Sequence, residues 1–179
     1  GQETRTRPGR KHVLDDAYFA RIGAIQYTIA HDDGVGPENW EDADIVLVGV
    51  SRTSKTPTSI YLANRGYKTA NVPLVPESPP PDELYRLQHP MVVGLTLNPE
   101  RLVQIRRNRL LSLNQAPETA YVNIDRVQEE MAFARRLIAD NDWPHIDVTR
   151  RSIEEAAAAI ITLFNDRLMA REQERAQQA

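Results

Sequence analysis

Residues 49 to 56 of this sequence could bind phosphate. They read Gly-Val-Ser-Arg-Thr-Ser-Lys-Thr, one residue away from the pattern G-x-x-x-x-G-K-[ST]. In such a loop the backbone N–H groups and the N-terminus of the following helix bind phosphate oxygens, and the lysine adds a positive charge. The final hydroxyl can reach a magnesium ion. We therefore expect eight residues to hold the phosphates of a nucleotide, the last of them also binding the metal: Gly49, Val50, Ser51, Arg52, Thr53, Ser54, Lys55 and Thr56.

Two residues of this stretch constrain its geometry. Ser54 stands where the pattern has glycine, so a side chain occupies the space where the backbone approaches the phosphate, although its hydroxyl can donate a hydrogen bond. Thr56 precedes Pro57, and a residue before proline is biased away from the α region. We therefore expect Thr56 to be the N-cap of a helix whose first residue is Pro57.

A second group of ionisable residues, His31-Asp32-Asp33-Gly34, follows an amphipathic helix predicted from Leu14. We expect its apolar stripe at Leu14, Tyr18, Ile22, Ile25 and Ile29. Asp32 or Asp33 could ligate magnesium or take a proton from an acceptor hydroxyl. A solvated helix end explains the same residues, and the spacing alone favours that explanation.

Arginines follow the third apolar segment of the chain, where Asn98-Pro99 predicts a helix N-cap and its first residue. Arg101 lies closest to the end of that segment and could clamp phosphate or a developing negative charge. The same helix carries Arg106, Arg107 and Arg109, for which a solvated basic face is the alternative. Further along, Asp147 could be linked to magnesium or could cap the turn that follows it.

The elements that position these residues form an α/β pattern. Short apolar segments predict strands at 45–48, 68–72, 90–97 and 143–148, and segments of helical periodicity separate them. This order predicts a three-layer, P-loop kinase-like domain with a mostly parallel sheet and its ligand at the carboxyl ends of the strands. We expect a flexible lead-in at 1–13, the domain at 14–170 and a frayed tail at 171–179. The proline-rich segment 73–82 predicts an extended connector.

Composition excludes several classes of protein. The chain has 179 residues, of which 41% are apolar and 26% charged, so it can form one domain with a core. It has no cysteine, which excludes disulfides and thiolate metal sites. The net charge of −3 gives no basic field for nucleic acid, and no apolar run reaches the ~20 residues of a membrane span. We expect a cytoplasmic protein.

Five segments together resemble a known family. They are Tyr-Thr-Ile-Ala-His-Asp-Asp-Gly at 27–34, the loop and helix at 49–63, Ala-Asn-Val-Pro-Leu-Val at 70–75, Gly-Leu-Thr-Leu-Asn-Pro-Glu-Arg-Leu at 94–102 and Ile-Asp-Val-Thr at 146–149. They resemble the pyruvate, phosphate dikinase regulatory proteins, which form one family with the phosphoenolpyruvate synthase regulatory proteins. The resemblance extends from about residue 12 to 164 and implies that residues 49–56 bind ADP. It also implies that members carry a further N-terminal region ahead of this one.

The resemblance implies a bifunctional enzyme. Members phosphorylate a threonine of the dikinase with ADP as donor, which inactivates it, and remove that phosphate with inorganic phosphate, releasing pyrophosphate. On this basis Lys55 would bind the transferring β-phosphoryl group, and Arg52 and Arg101 would stabilise its oxygens. Asp32 or Asp33 would be the base for the threonine. The expected cofactors are ADP, inorganic phosphate and magnesium, and the expected partner is the dikinase, with a homodimer possible.

Three rival functions remain open at the level of sequence. The first is the same chemistry on phosphoenolpyruvate synthase. The second is a small-molecule P-loop kinase that uses ATP, which a panel of nucleotides would distinguish. The third is a nucleotide-binding module that regulates a partner by docking alone, which predicts unchanged function when Lys55 is lost but nucleotide still binds.

Overall fold

The fold is built on a four-stranded parallel sheet with helices on both faces, which confirms the expected three-layer α/β architecture. The computed structural model describes residues 9–116 and 119–178, with side chains from residue 16 onward. Its strands are β1 (Ile45–Gly49), β2 (Thr69–Pro73), β3 (Met91–Thr96) and β4 (His145–Asp147). Its α-helices are α1 (Gly9–Ala30), α2 (Lys55–Asn64), α3 (Glu83–Arg86), α4 (Pro99–Ser112), α5 (Ile124–Asp140) and α6 (Ile153–Gln178), with 3₁₀ turns at Pro37–Asp42 and Ala120–Val122.

The strands lie in the order β2-β1-β3-β4, and every neighbouring pair is parallel. All residues of β1 and β3 are buried, as expected for strands covered on both faces. Gly49 at the end of β1 is paired with Pro73 at the end of β2. The connections that follow these strands therefore leave from the same edge of the sheet, and the loop 49–56 leaves from its middle.

Helix α1 covers the free edge of β2. A strand at a sheet edge presents unpaired backbone groups that need partners. The Thr69 N–H donates to Thr28 Oγ1 (3.0 Å), the Asn71 N–H to the His31 carbonyl (3.3 Å), and the Asn71 carbonyl accepts from the Gly34 N–H (2.8 Å). The end of α1 and the turn after it are thus fixed beside β2, close to the loop at 49–56.

The close approach of α1 explains why its predicted apolar stripe is wrong at Tyr18 and Ile29, whereas Ile22 and Ile25 are half-buried. Tyr18 and Ile29 are 51% and 64% exposed, whereas Ala24 and Thr28 are buried. Small side chains let the helix come near enough to β2 for Thr28 to accept a hydrogen bond, and bulky residues would hold it away. The helix begins at Gly9, so the flexible lead-in predicted at 1–13 is wrong for residues 9–13, and its residues 1–8 lie outside the described residues.

Two other segments differ from expectation. The proline-rich segment forms a turn rather than an extended connector, because Ser78 N–H donates to the Val75 carbonyl (3.1 Å) and Pro76 occupies the turn position that favours proline. Helix α6 continues to Gln178 instead of ending near residue 170. Arg167 and Arg171 both donate to the Gln88 carbonyl, at 3.2 and 2.7 Å, and hold this part of the helix against the sheet.

Capping signals mark the starts of α4 and α6, whereas the short helix α3 was not predicted. Asn98 caps α4 by accepting from the Arg101 N–H (3.2 Å), and Ser152 and Glu155 form the reciprocal capping box of α6 (3.0 and 3.1 Å). One face of α5 is buried and consists of Val127, Met131, Ala134 and Ile138. Within the described residues, no helix is both long and apolar enough to cross a membrane.

Candidate phosphate-binding site

The loop begins at a position that only glycine can occupy. A Cβ added to Gly49 would lie 2.8 Å from both the Leu95 carbonyl oxygen and Thr53 Oγ1. These distances are shorter than real Cβ contacts, so a side chain here would push the loop away from β3. Gly49 therefore allows the chain to turn tightly over the end of the sheet.

Two non-glycine residues of the loop adopt left-handed backbone conformations. Arg52 has φ 70° and Ser54 has φ 64°. Such residues turn successive backbone N–H groups toward a common centre, an arrangement that binds anions. Ser54 has the conformation that glycine provides in the usual pattern, and it is the residue immediately before α2.

The expected helix start at Pro57 is wrong. Ser54 is the N-cap residue and α2 begins at Lys55, which places Pro57 third in the helix. Proline is tolerated there because the first N–H groups of a helix have no partner inside the helix. Thr56 is therefore not a cap, and its hydroxyl donates instead to Asp32 Oδ1 (2.9 Å).

Lys55 lies inside the loop rather than in solvent. Its side chain is buried, and Nζ donates to the Val50 carbonyl (2.8 Å), which also accepts from Thr53 Oγ1 (2.9 Å). Burial lowers the pKa of Lys55 to about 8; Asp33 opposes this change, and the nearby Arg106 guanidinium adds to it. The pKa therefore lies only slightly above neutral pH, and a bound phosphate would stabilise the charged form of the lysine.

Asn71 of β2 fixes the two carboxylates opposite the lysine. It is 1% exposed; its amide nitrogen donates to Asp32 Oδ1, and its amide oxygen accepts from the Asp33 N–H (3.0 Å). Asp33 has φ 54°, a conformation that non-glycine residues rarely adopt. Together with its two backbone bonds to His31 and Gly34, Asn71 holds the whole turn in register with the sheet.

The loop and the two carboxylates line one cavity of about 400 Å³. Its wall consists of Asp32, Asp33, Ser51, Arg52, Ser54, Lys55, Thr56, Pro57, Pro73 and Ile105. The cavity thus combines a cationic, N–H-rich side with an acidic side. This combination suits a phosphate group bound together with a divalent cation.

The donors present fit magnesium carried in with a nucleotide. Among the described residues no group of three or more acidic or histidine side chains could hold a metal alone. Magnesium commonly uses one or two carboxylates and completes its shell with water and substrate phosphates. Thr56 can donate its proton to Asp32 and offer its remaining oxygen lone pairs to the ion.

Comparison with known proteins identifies the family. A model of the kinase/pyrophosphorylase family matches residues 1–161. The chain belongs to this family. It is 73% identical over 170 residues to a protein of Sphingopyxis alaskensis and 72% identical over 167 residues to one of Rhizorhabdus wittichii, both provisionally named as pyruvate, phosphate dikinase regulatory proteins.

The match covers most of this chain but only part of those relatives. The aligned region is 95% of this chain and 63% of the Sphingopyxis protein, and 93% and 61% for the Rhizorhabdus protein. A Caulobacter vibrioides protein with the same provisional name is 56% identical, over 92% of this chain and 52% of its own length. The chain therefore spans about three fifths of the length of the Sphingopyxis and Rhizorhabdus relatives.

In this kinase/pyrophosphorylase chain, most of the expected site residues lie together. Asp32, Asp33, Arg52, Lys55 and Thr56 all line the cavity. Ser51 and Ser54 line it too, and the three remaining loop residues form its frame: Val50 and Thr53 are buried, and Gly49 permits the turn. Their predicted roles in catalysis remain predictions.

Two other candidates lie elsewhere. Arg101 is exposed, its guanidinium donates to Gln104 Oε1 (3.4 Å), and it is not part of the cavity wall. Asp147 accepts from the N–H (2.9 Å) and the hydroxyl of Thr149, and the hydroxyl bond is the main cause of its lowered pKa. Asp147 therefore caps its turn, the second of the two interpretations that the sequence left open.

Sequence reasoning missed Arg106 and Asn71. For Arg106 the sequence leaves open a phosphate clamp or a solvated basic face, but the residue is 1% exposed and is not part of the cavity wall. A signal for this existed, because Arg106 lies four residues from both Leu102 and Leu110, on the buried stripe of α4. Asn71 gave no comparable signal, since a polar residue in a short strand indicates a buried hydrogen bond only when its partner is known.

Proposed function

We propose that this chain catalyses reversible regulation of pyruvate, phosphate dikinase by phosphoryl transfer at the cavity between the loop and the two carboxylates. In one direction the threonine oxygen of the target attacks the β-phosphorus of ADP; the bond to the bridging oxygen breaks and AMP leaves. In the other, inorganic phosphate attacks the phosphothreonine phosphorus, and pyrophosphate and the free threonine hydroxyl are released. The proposal depends on one observation above all: Lys55 and other residues of the loop line one cavity together with Asp32 and Asp33.

The loop would hold the phosphates in either direction. Its N–H groups would bind the oxygens, and Lys55 Nζ would leave the Val50 carbonyl to contact the transferring group. Arg52, whose backbone is left-handed and whose side chain lines the same cavity, would neutralise charge at the transferring oxygens. Magnesium bound with the diphosphate would supply further charge neutralisation.

The two carboxylates would have different tasks. Asp32 Oδ1 already accepts hydrogen bonds from Thr56 and Asn71, which fixes the carboxylate in place and makes it a suitable neighbour for the metal. Asp33 is exposed at the cavity and is the carboxylate with the largest influence on Lys55. We therefore assign the base for the threonine hydroxyl to Asp33 and the positioning of Thr56 to Asp32.

The test is a reaction with purified dikinase, ADP and magnesium, with phosphoenolpyruvate synthase as a parallel substrate. Mass spectrometry would locate a new phosphothreonine on the dikinase, and its removal by inorganic phosphate would be followed by pyrophosphate release. Replacing ADP with ATP distinguishes this proposal from a conventional kinase: the proposal predicts activity with ADP, and a conventional kinase would require ATP. Absence of threonine phosphorylation with every combination would overturn the proposal.

The base assignment has its own test. The Asp33→Asn variant should lose threonine phosphorylation while still binding ADP, because the amide keeps the size of the side chain but cannot take a proton. Wild-type rates in Asp33→Asn would remove the assignment. In Asp32→Asn, the weaker metal site should appear as a higher magnesium requirement.

A further inference from the structure

Arg106 is a buried charge whose bonds reach the phosphate-binding loop. Its guanidinium lies in the core between α4 and α5, and Glu130 of α5 binds it with both carboxylate oxygens (3.1 and 2.7 Å). A buried charge is costly unless it is paired and hydrogen-bonded. The pairing with Glu130 meets that requirement, which leaves the other donors of the guanidinium to be explained.

Two of the three remaining N–H donors go to backbone carbonyls, and the third, on the buried Nε, has no hydrogen-bond partner among the described residues. Nη1 donates to the Tyr121 carbonyl (3.1 Å) and Nη2 to the Ser51 carbonyl (3.2 Å). The Tyr121 ring lies 4.5 Å from the guanidinium carbon, and its hydroxyl is 3.2 Å from Ser51 Oγ. Two separate contacts therefore converge on Ser51, one through its carbonyl and one through its side chain.

The bond to the Ser51 carbonyl determines the orientation of the next peptide N–H. No peptide bond in the described residues is cis, and in a planar trans peptide the C=O and N–H point in opposite directions. With the Ser51 carbonyl directed at Arg106, the N–H of Arg52 points away from the core. Ser51 and Arg52 line the cavity, whereas Arg106 does not.

We propose that Arg106, oriented by Glu130, is a positioning residue that holds the Ser51–Arg52 peptide in its anion-binding orientation. Without it the peptide could rotate, present its carbonyl to the cavity and repel phosphate. The inference rests on the proposed function, since it concerns the phosphate side of the same site. The same contact makes the affinity of the loop for phosphate depend on how α4 packs against α5.

The test compares ADP and pyrophosphate binding, each with magnesium, by isothermal titration calorimetry. Replacing a buried ion pair by apolar residues of similar volume is often tolerated, so Arg106→Met combined with Glu130→Leu should keep the fold. We expect its affinity for both ligands to fall about tenfold or more, as befits a lost charge-assisted bond. Arg107→Met, an exposed change on the same helix, should bind like wild type.

Arg106→Lys separates geometry from charge. Lysine keeps the positive charge but not the forked donors, so it cannot bind Glu130 with two parallel bonds and also reach Ser51. We expect the affinity for both ligands to fall in Arg106→Lys too. If the double variant does not fold, Arg106→Lys alone tests the inference. Wild-type affinity in a folded double variant, or in Arg106→Lys, overturns the inference.

Melting temperatures of the ligand-free variants separate this role from a purely structural one. A positioning role predicts that affinity falls even in a variant whose melting temperature matches that of the wild type, whereas a purely structural role predicts that the two fall together. Wild-type protein that binds neither ADP nor pyrophosphate would overturn the proposed function, whereas binding that is unaffected by these variants overturns only the role of Arg106.

Discussion

At the scale of single residues, the site depends on a few side chains held in unusual environments. Lys55 is buried against a backbone carbonyl, Ser54 and Arg52 adopt left-handed conformations, and Asp33 does the same on the opposite side of the cavity. Each of these features raises the free energy of the empty site. A bound diphosphate would meet N–H groups and charges already in place.

Loss of Lys55 should abolish both directions of phosphoryl transfer. Lys55→Ala removes the lysine of the cavity wall, and we expect each rate to fall more than about 100-fold if, as proposed, the same loop binds phosphate in both directions. Rates would be measured as ADP-dependent phosphorylation and phosphate-dependent release of pyrophosphate. Lys68→Ala, at an exposed position, is the control. Survival of one direction alone would indicate two separate phosphate sites.

Ser54 gives a prediction about stability. Ser54→Gly should raise the free energy of unfolding by about 1 kcal/mol, because glycine adopts φ 64° without the steric cost that serine bears there. Urea denaturation measures the change. Ser112→Gly, in helix α4 where φ is negative, should not raise stability. A destabilised Ser54→Gly would show that the serine side chain makes a compensating interaction.

At the scale of elements, the edge of β2 explains how residues far apart in sequence form one site. The end of α1 supplies the missing hydrogen-bond partners of the strand, and this pairing brings Asp32 beside Thr56. The β1–loop–α2 unit was predictable because its signals are local. The positions of the carboxylates relative to it depend on Thr28, Asn71 and the register of β2, which no local pattern specifies.

Asn71 tests this arrangement. Asn71→Asp would replace the donor to Asp32 with a second carboxylate, and we expect a loss of about 2 kcal/mol at pH 7. The repulsion raises the pKa of the carboxylate pair, so the loss should shrink as the pH falls below about 5 and one proton is shared. Denaturation at both pH values measures it, with Asn64→Asp on the exposed face of α2 as control. An equal loss at both pH values would argue against direct repulsion.

At the scale of the whole molecule, the sequence predicted the three-layer fold because alternating strands and helices admit few topologies. It did not predict Arg106, since the pairing of Arg106 with Glu130 depends on how α4 packs against α5. Nor did it predict the full length of α6, because the anchors at Arg167 and Arg171 bind a carbonyl about eighty residues earlier in the chain.

Binding at the cavity should stabilise the whole molecule. A ligand that binds only the folded state adds about 2.7 kcal/mol when present at 100 times its Kd. We therefore expect ADP with magnesium to raise the melting temperature of the wild type, with little effect on Lys55→Ala. Differential scanning fluorimetry would measure the shift. An equal shift in the variant would place the nucleotide outside the loop.

The environment of Lys55 also has a consequence for reagents that form covalent bonds. The chain contains three lysines, Lys11, Lys55 and Lys68, and a lowered pKa makes Lys55 a far better nucleophile at pH 8 than an ordinary lysine. Pyridoxal 5′-phosphate carries both an aldehyde and a phosphate, so it should form an imine with Lys55, losing water, before it labels Lys68. Borohydride reduction and peptide mapping would locate the adduct, and ADP should protect against it. Preferential labelling would make this loop a point of attachment for covalent inhibitors.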